Sequence, residues 1–462
     1  MLRTVILLLS GNAFGSLVLL LRNLVIARLL SLEDFGIAAT FAVSIAIVEM
    51  ASGLGLQQLI VQDKNGEDPR LQAGLQGFNL VRGLFAGLAL FLLAPLIAQF
   101  LGIPEIAWAY QLMALVPVMR GFEHFDIHRL NRAMQFGPLI LTKTVPALIS
   151  VLSIWPLFML FDDYRVMLYA VLLQWALAVL VSHLVAKRRF ALSFHNATMR
   201  KSLKFGWPLL INNILLFLVF QGDRLLVGRE LGMAELAIFS MGVTFTLTPT
   251  LVSGASEQQF FLPQLSAARE ERARFQALAH AAMQASLVSG LVLVLLVAAL
   301  ADPLVQVLLG AKYAALAPLL PWFAIWQALR TFKTGNTVVA LSQAQTANAM
   351  IANAVRMLAL PVAWFALLQG AEILHVIWIA IAGELCGYLV SLVLATRRAR
   401  LPVAPLALPL VFAALTLVAV GLQTGGLEGQ TGIGIAGWAL VLSLAMGAGL
   451  SMRALIWYAF HR

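Results

Sequence analysis

The chain has 462 residues, 61% of them hydrophobic and only 11% charged, with a mean hydropathy of +0.91 and a formal net charge of +10. A soluble protein would carry about a quarter charged residues, so a sizeable soluble domain is excluded and an all-α polytopic membrane protein is expected. The lone cysteine, Cys386, excludes an intramolecular disulfide and any multi-cysteine zinc or iron–sulfur site.

A spanning helix needs about 20 largely apolar residues. About fourteen such stretches are predicted, at 4–29, 34–61, 71–101, 105–125, 138–161, 164–186, 203–229, 234–261, 275–301, 316–341, 346–369, 372–395, 403–422 and 432–458. They divide the chain into a six-helix lobe over 1–190, a second over 200–396, and two additional helices over 402–462. Arg3 followed by the apolar run Val5–Leu21 imitates a signal peptide, but no clear small-residue cleavage site follows and Arg22 lies in the same helix. Cationic residues gather after even-numbered spans: Lys64, Arg70, Arg129, Arg132, Lys187-Arg188-Arg189, Arg200-Lys201, Arg269, Arg272, Arg274, Arg397-Arg398 and Arg400. The opposite loops hold only Arg28, Arg165, Arg229 and Lys312. The positive-inside rule therefore places both termini in the cytoplasm, and the net charge is explained without a nucleic-acid partner.

The two halves repeat each other. Ala27-Arg28-Leu29-Leu30 aligns with Gly228-Arg229-Glu230-Leu231, and Gln57-Gln58 with Gln258-Gln259. Pro95-Leu96-Ile97 then answers to Pro303-Leu304-Val305, and Arg120-Gly121-Phe122 to Arg330-Thr331-Phe332. Six spans per half is an even number, so the halves share one orientation and are pseudo-symmetric about an axis along the membrane normal.

Eight cations fall inside predicted spans: Arg22, Arg82, Arg120 and Lys143 in the first half, and Arg224, Arg330, Lys333 and Arg356 in the second. Each costs roughly 2.5–3.5 kcal/mol on insertion scales, so such a residue normally faces a cavity or a partner. Matched pairs (Arg22 with Arg224, Arg120 with Arg330, Lys143 with Arg356) point to a cavity for an anionic substrate. Snorkelling or neutralisation by an acid is the competing role, foremost at Arg224 beside Asp223. The intramembrane acids are Glu49, Glu123, Asp126, Asp223, Glu257 and Glu384. Glu49, Asp223, Glu257 and Glu384 are candidates for ion coupling or gating; Glu49 and Glu257 are the proton- or sodium-site candidates, with plain salt bridges as the alternative.

Glu123-His124, Asp126 and His128 imitate a metal site, but the segment runs into Arg129 and Arg132 at the cytoplasmic edge, and no metal is expected. Neither a Gly-x-Ser-x-Gly elbow nor a Walker-type loop occurs, so neither an enzyme nor an ATP-driven pump is expected. Pro117, Pro146, Pro208, Pro249 and Pro361 mark expected kinks or breaks. Asn212-Asn213, Thr244, Thr246 and Thr248 add polar groups to spans seven and eight.

Three segments carry a family resemblance. Arg28-Leu29-Leu30-Ser31-Leu32-Glu33-Asp34-Phe35-Gly36 resembles the first periplasmic turn of the polysaccharide-transport, or Wzx-type, flippases of the multidrug/oligosaccharidyl-lipid/polysaccharide exporter superfamily. Gln221-Gly222-Asp223-Arg224-Leu225-Leu226-Val227-Gly228 resembles their seventh span, and Asp302-Pro303-Leu304 through Leu309-Gly310-Ala311-Lys312-Tyr313 the loop after their ninth. The resemblance covers about the first 400 residues. It implies a bacterial inner-membrane protein with two six-helix lobes around a central hydrophilic cavity. The implied cargo is an undecaprenyl-diphosphate-linked glycan, an O-antigen, exopolysaccharide or capsule repeat unit, moved from the cytoplasmic to the periplasmic leaflet by alternating access. No cofactor is implied; proton or sodium coupling stays open. The expected partners are the lipid bilayer and polysaccharide polymerase or assembly proteins, and the expected state is a monomer. A drug or metabolite antiporter of the same superfamily is the first alternative. A membrane-embedded polysaccharide polymerase or ligase is the second, disfavoured because the predicted periplasmic loops are all short.

Overall fold

The computed structural model describes residues 2–194, 196–345, 347–424 and 434–460, and every regular element among them is helical. The chain forms two compact units, Met1–Ala237 and Ile238–Arg462.

The first unit begins with α1 (Leu2–Leu29), α2 (Leu32–Ser52), α3 (Leu56–Gln62) and α4 (Pro69–Phe100). A 3-10 turn then leads into α5 (Ala107–Met113), α6 (Leu115–Gly121), α7 (Asp126–Arg132), α8 (Gly137–Leu152), α9 (Ile154–Phe161), α10 (Arg165–Val185) and α11 (Asn196–Glu230). The helix α12 (Met233–Ala267) starts in this unit and runs into the second. Local chemistry sets the starts. Ser31 accepts from the Asp34 N–H at 3.0 Å, and Glu33 and Asp34 place negative charge at the positive end of α2. Asp68 caps α4 and Pro69 occupies its first position, where the missing N–H costs nothing. Gly55, at φ 63°, takes the left-handed conformation that lets the chain turn from α2 into α3.

The second unit holds the rest of α12, then α13 (Arg272–Leu304), α14 (Leu320–Ser342), α15 (Ala347–Met357), α16 (Ala359–Leu368), α17 (Ile373–Arg398), α18 (Ala404–Thr424), α19 (Ile435–Ser451) and α20 (Arg453–Phe460). A π-helical turn (Val305–Leu309) and a 3-10 stretch (Ala311–Leu319) join α13 to α14.

Three helix breaks precede a proline by a fixed offset. The chain leaves helical register at Ala114, Ser153 and Leu358, each three residues before Pro117, Pro156 or Pro361. A proline ring clashes with the carbonyl four residues back and removes its hydrogen bond, so the break falls just after that carbonyl. Pro156 was not among the expected kink sites, whereas α8, α11 and α12 continue through Pro146, Pro208 and Pro249. The bend between α8 and α9 is 40°.

Glycines set the helix contacts in both units. A Cβ at Gly83 would lie 2.5 Å from the Pro117 carbonyl oxygen, and one at Gly36 would overlap that of Met233. In the second unit Gly290 faces the Phe332 ring and Gly335 faces Met283, drawing α13 and α14 together. Small residues at these positions let backbones approach where lipid offers no hydrophobic drive for helix association. Among the described residues, seven helical stretches are long and apolar enough to cross a membrane, and the α8–α9 pair makes an eighth. The outward faces carry Phe85, Leu92, Leu160, Leu184, Phe365 and Leu422, all exposed, as hydrocarbon contact requires.

Candidate functional site

Within the first unit, α1, α3, α6, α7, α8 and α10 bound a cavity of about 880 Å³. Arg120, Lys143 and Glu123 line it, with Gln57, Gln58, Gln174 and Trp175. Arg120 is held on two sides: its guanidinium pairs with the Glu49 carboxylate and lies over the Trp175 ring, 4.4 Å from the centroid. A smaller cavity of about 270 Å³ is lined by Glu49, Arg82, Arg120 and Asn213. There Arg82 donates to Asn79 Oδ1 at 3.0 Å and to Ser52 Oγ at 3.3 Å. Asn79 in turn donates to the carbonyls of Arg120 and Gly121, tying α4 to the end of α6.

The second unit gathers three cations on one acid. Glu384 is fully buried on α17 and receives Arg356 Nε at 2.6 Å, Lys333 Nζ at 3.1 Å and Arg330 Nε at 3.5 Å. Gly383 and Gly387 flank it. A Cβ at Gly383 would lie 2.6 Å from Ala359 Cβ, and one at Gly387 3.1 Å from the Ala352 carbonyl oxygen. Glycine at 383 lets α16 lie close against α17, and glycine at 387 lets the Ala352 carbonyl of α15 approach, so that Arg356 reaches the carboxylate. Lys333 also donates to Asn353 Oδ1 at 3.2 Å. One carboxylate against three cations leaves a net charge of two positive, an arrangement suited to a multiply charged anion.

The remaining predicted residues go elsewhere. Arg22, buried on α1, donates to Gln174, and Arg224 donates to Gln221 Oε1 at 3.1 Å; neither lines the two cavities described. Asp223 is buried on α11. Glu257 accepts from Ser286 and Ser289, both at 2.6 Å, so this ion-coupling candidate is bonded to hydroxyls. Glu49 is in a salt bridge.

Asp126 starts the separate short helix α7, one residue beyond the predicted fourth span. It accepts from Arg129 Nε at 2.6 Å and from the Lys187 and Arg188 N–H groups at 2.8 and 3.2 Å. Burial raises its pKa, but the Arg129 hydrogen bond, the two backbone N–H groups and the Arg129 charge together hold the carboxyl below its ordinary value. Within the metal-like spacing around it, His124 Nδ1 accepts the Asp126 N–H, and its ring packs on His183 and Phe190.

Sequence reasoning missed Gln174, Trp175, Asn79 and Asn353, the groups that hold the cations in place. Their signal was polarity or an indole within an apolar helix, but only spatial neighbours show which cation each one serves.

Comparison with known proteins agrees with this architecture. Residues 25–318 match the family described as polysaccharide biosynthesis protein. The chain is 26% identical over 328 residues to the succinoglycan biosynthesis transport protein ExoT of Rhizobium meliloti (strain 1021), a match covering 66% of this chain. The chain spans about 62% of the length of that relative. Its structure is similar to an inward-facing multidrug resistance MATE family transporter of the MOP superfamily, with a TM-score of 0.70 at 15% identity over 84% of this chain and 94% of that one. It is also similar to the lipid II flippase MurJ in an inward closed conformation, with a TM-score of 0.66 at 15% identity over 99% of this chain and 100% of that one. The chain has the all-helical, multi-pass membrane fold of these transporters and belongs to the polysaccharide biosynthesis protein family.

Proposed function

We propose that the protein is a flippase for a polyprenyl-diphosphate-linked oligosaccharide, the repeat unit of an O-antigen, exopolysaccharide or capsule. It carries the head group from the inner to the outer leaflet of a bacterial inner membrane by alternating access along a cationic path. The proposed topology has fourteen spans, six in each lobe plus two, with both termini cytoplasmic. The observation that carries the reading is the cluster of Arg330, Lys333 and Arg356 on the single carboxylate of Glu384. A diphosphate can replace that carboxylate as partner and satisfy the charge it leaves over. Arginine suits the role because its planar fork bonds two phosphate oxygens at once and stays charged. A sugar head cannot enter hydrocarbon without losing its hydrogen bonds to water, so the path must be polar throughout while the polyprenyl tail stays in lipid. The family match and the likeness to a named transport protein support the same reading. An inside-negative potential favours anion export, worth about 2.3 kcal/mol per charge per 100 mV.

The test is transport by the purified chain in proteoliposomes, using a polyprenyl-diphosphate oligosaccharide labelled for leaflet-specific quenching. Wild-type protein should move it between leaflets faster than empty vesicles. Movement of organic cations with no movement of the lipid would establish the antiporter alternative instead.

A further inference from the structure

We propose that the first unit's cavity holds a subsite for the neutral, hydroxyl-bearing part of the head group, built on the glutamine face of α3; this rests on the flippase reading above. The short helix α3 is sharply two-sided. Leu56, Leu59 and Ile60 are buried in a core with Leu71, Leu75, Phe78 and Phe125. Gln57, Gln58 and Gln62 are exposed and line the 880 Å³ cavity, Gln58 and Gln62 one turn apart on one face. None of these three side chains hydrogen-bonds to another described residue; of the cations on the same cavity, Arg120 is engaged by Glu49 and Trp175, and Lys143 also lines it.

Two more polar residues, His128 and Thr144, stand on the cavity wall. His128 is only 5% exposed, and its Nε2 has no hydrogen-bond partner among the described residues; nor has Thr144 Oγ1. Both residues line the same space. The chemistry selects the ligand class. An amide both donates and accepts, as does a sugar hydroxyl, whereas phosphate oxygens only accept and would leave the amide carbonyls idle. Glu123 also lines the cavity, and a carboxylate can accept from hydroxyls. The volume lies within the usual range of ligand sites, about 300–1,000 Å³.

The experiment compares two labelled lipids in proteoliposomes, a polyprenyl diphosphate with its oligosaccharide and one without sugar. The quantity read is the ratio of their flipping rates. In a Gln57→Leu/Gln58→Leu/Gln62→Leu variant, the ratio of glycosylated to sugar-free lipid should fall about tenfold, the effect of losing one or two net hydrogen bonds. The single variants Gln58→Leu and Thr144→Val should each move the ratio in the same direction and serve if the triple variant does not fold. An unchanged ratio, or equal loss for both lipids, overturns the subsite while leaving the flippase reading intact. Wild-type protein that moves neither lipid overturns both.

Discussion

Arg356 Nε lies 2.6 Å from the Glu384 carboxylate, with both side chains buried among two further cations. Removing the acid leaves three cations without their shared counter-ion. Breaking a buried pair in this way costs about 3–5 kcal/mol, so Glu384→Gln should lower the thermal unfolding midpoint in detergent by several degrees. Arg356→Glu sets two carboxylates against each other and should abolish transport of the labelled lipid. Full transport by Arg356→Glu would remove this residue from the cationic path.

Arg82 is the second point of attack. It is held by hydrogen bonds to Asn79 and Ser52, and it lines the smaller cavity. Arg82→Glu should cut transport more than tenfold while membrane insertion, followed by fractionation, stays at the wild-type level. Wild-type activity in this variant would count against a charge role.

Asp126 ties the linker after α10 to α7. Its folded pKa is depressed, so the stabilisation is present above the ordinary Asp value of about 3.9 and is lost as pH falls through the folded value. Hydrogen exchange at the Lys187 and Arg188 amides, corrected for intrinsic rate, should therefore stay protected at neutral pH and open in strong acid. In Asp126→Asn the same amides should exchange faster already at pH 7. Equal protection in the variant would show that other contacts hold the linker.

Gly36 abuts the Met233 backbone within the first unit, and a backbone oxygen cannot swing aside as a side chain can. Gly36→Ala should destabilise the chain by about 1–3 kcal/mol, the usual penalty of overpacking. Thermal denaturation of the purified variant measures it; an unchanged midpoint would mean the two helices separate freely.

Topology is open to single-cysteine labelling after Cys386 is replaced by alanine. Asn65→Cys follows Lys64 and Ala314→Cys follows Lys312, and both positions are exposed. A membrane-impermeant maleimide applied to intact cells with a permeabilised outer membrane should label the second and spare the first. Labelling of both from outside would reverse the charge-based assignment.

The eight intramembrane cations could be read from residue type alone, because a charge in an apolar run stands out against its neighbours. Their partners could not. Gln174 and Trp175 hold Arg22 and Arg120 across more than fifty residues of chain, and no local pattern encodes such a pairing. The break at Pro117 was legible from the chemistry of proline, yet Pro146 resembles it in sequence and leaves α8 continuous. Tertiary packing decides whether a lost hydrogen bond opens a helix.

Composition, periodicity and charge bias are properties of the chain, and they were enough to establish a helical, multi-pass membrane protein with anion-suited residues in its spans. Which cation meets which acid depends on how closely helices approach. At Glu384 that approach is set by Gly383 and Gly387, whose missing side chains admit α15 and α16. Electrostatic attraction falls with distance, so the cluster exists only once packing has brought its members within a few ångströms.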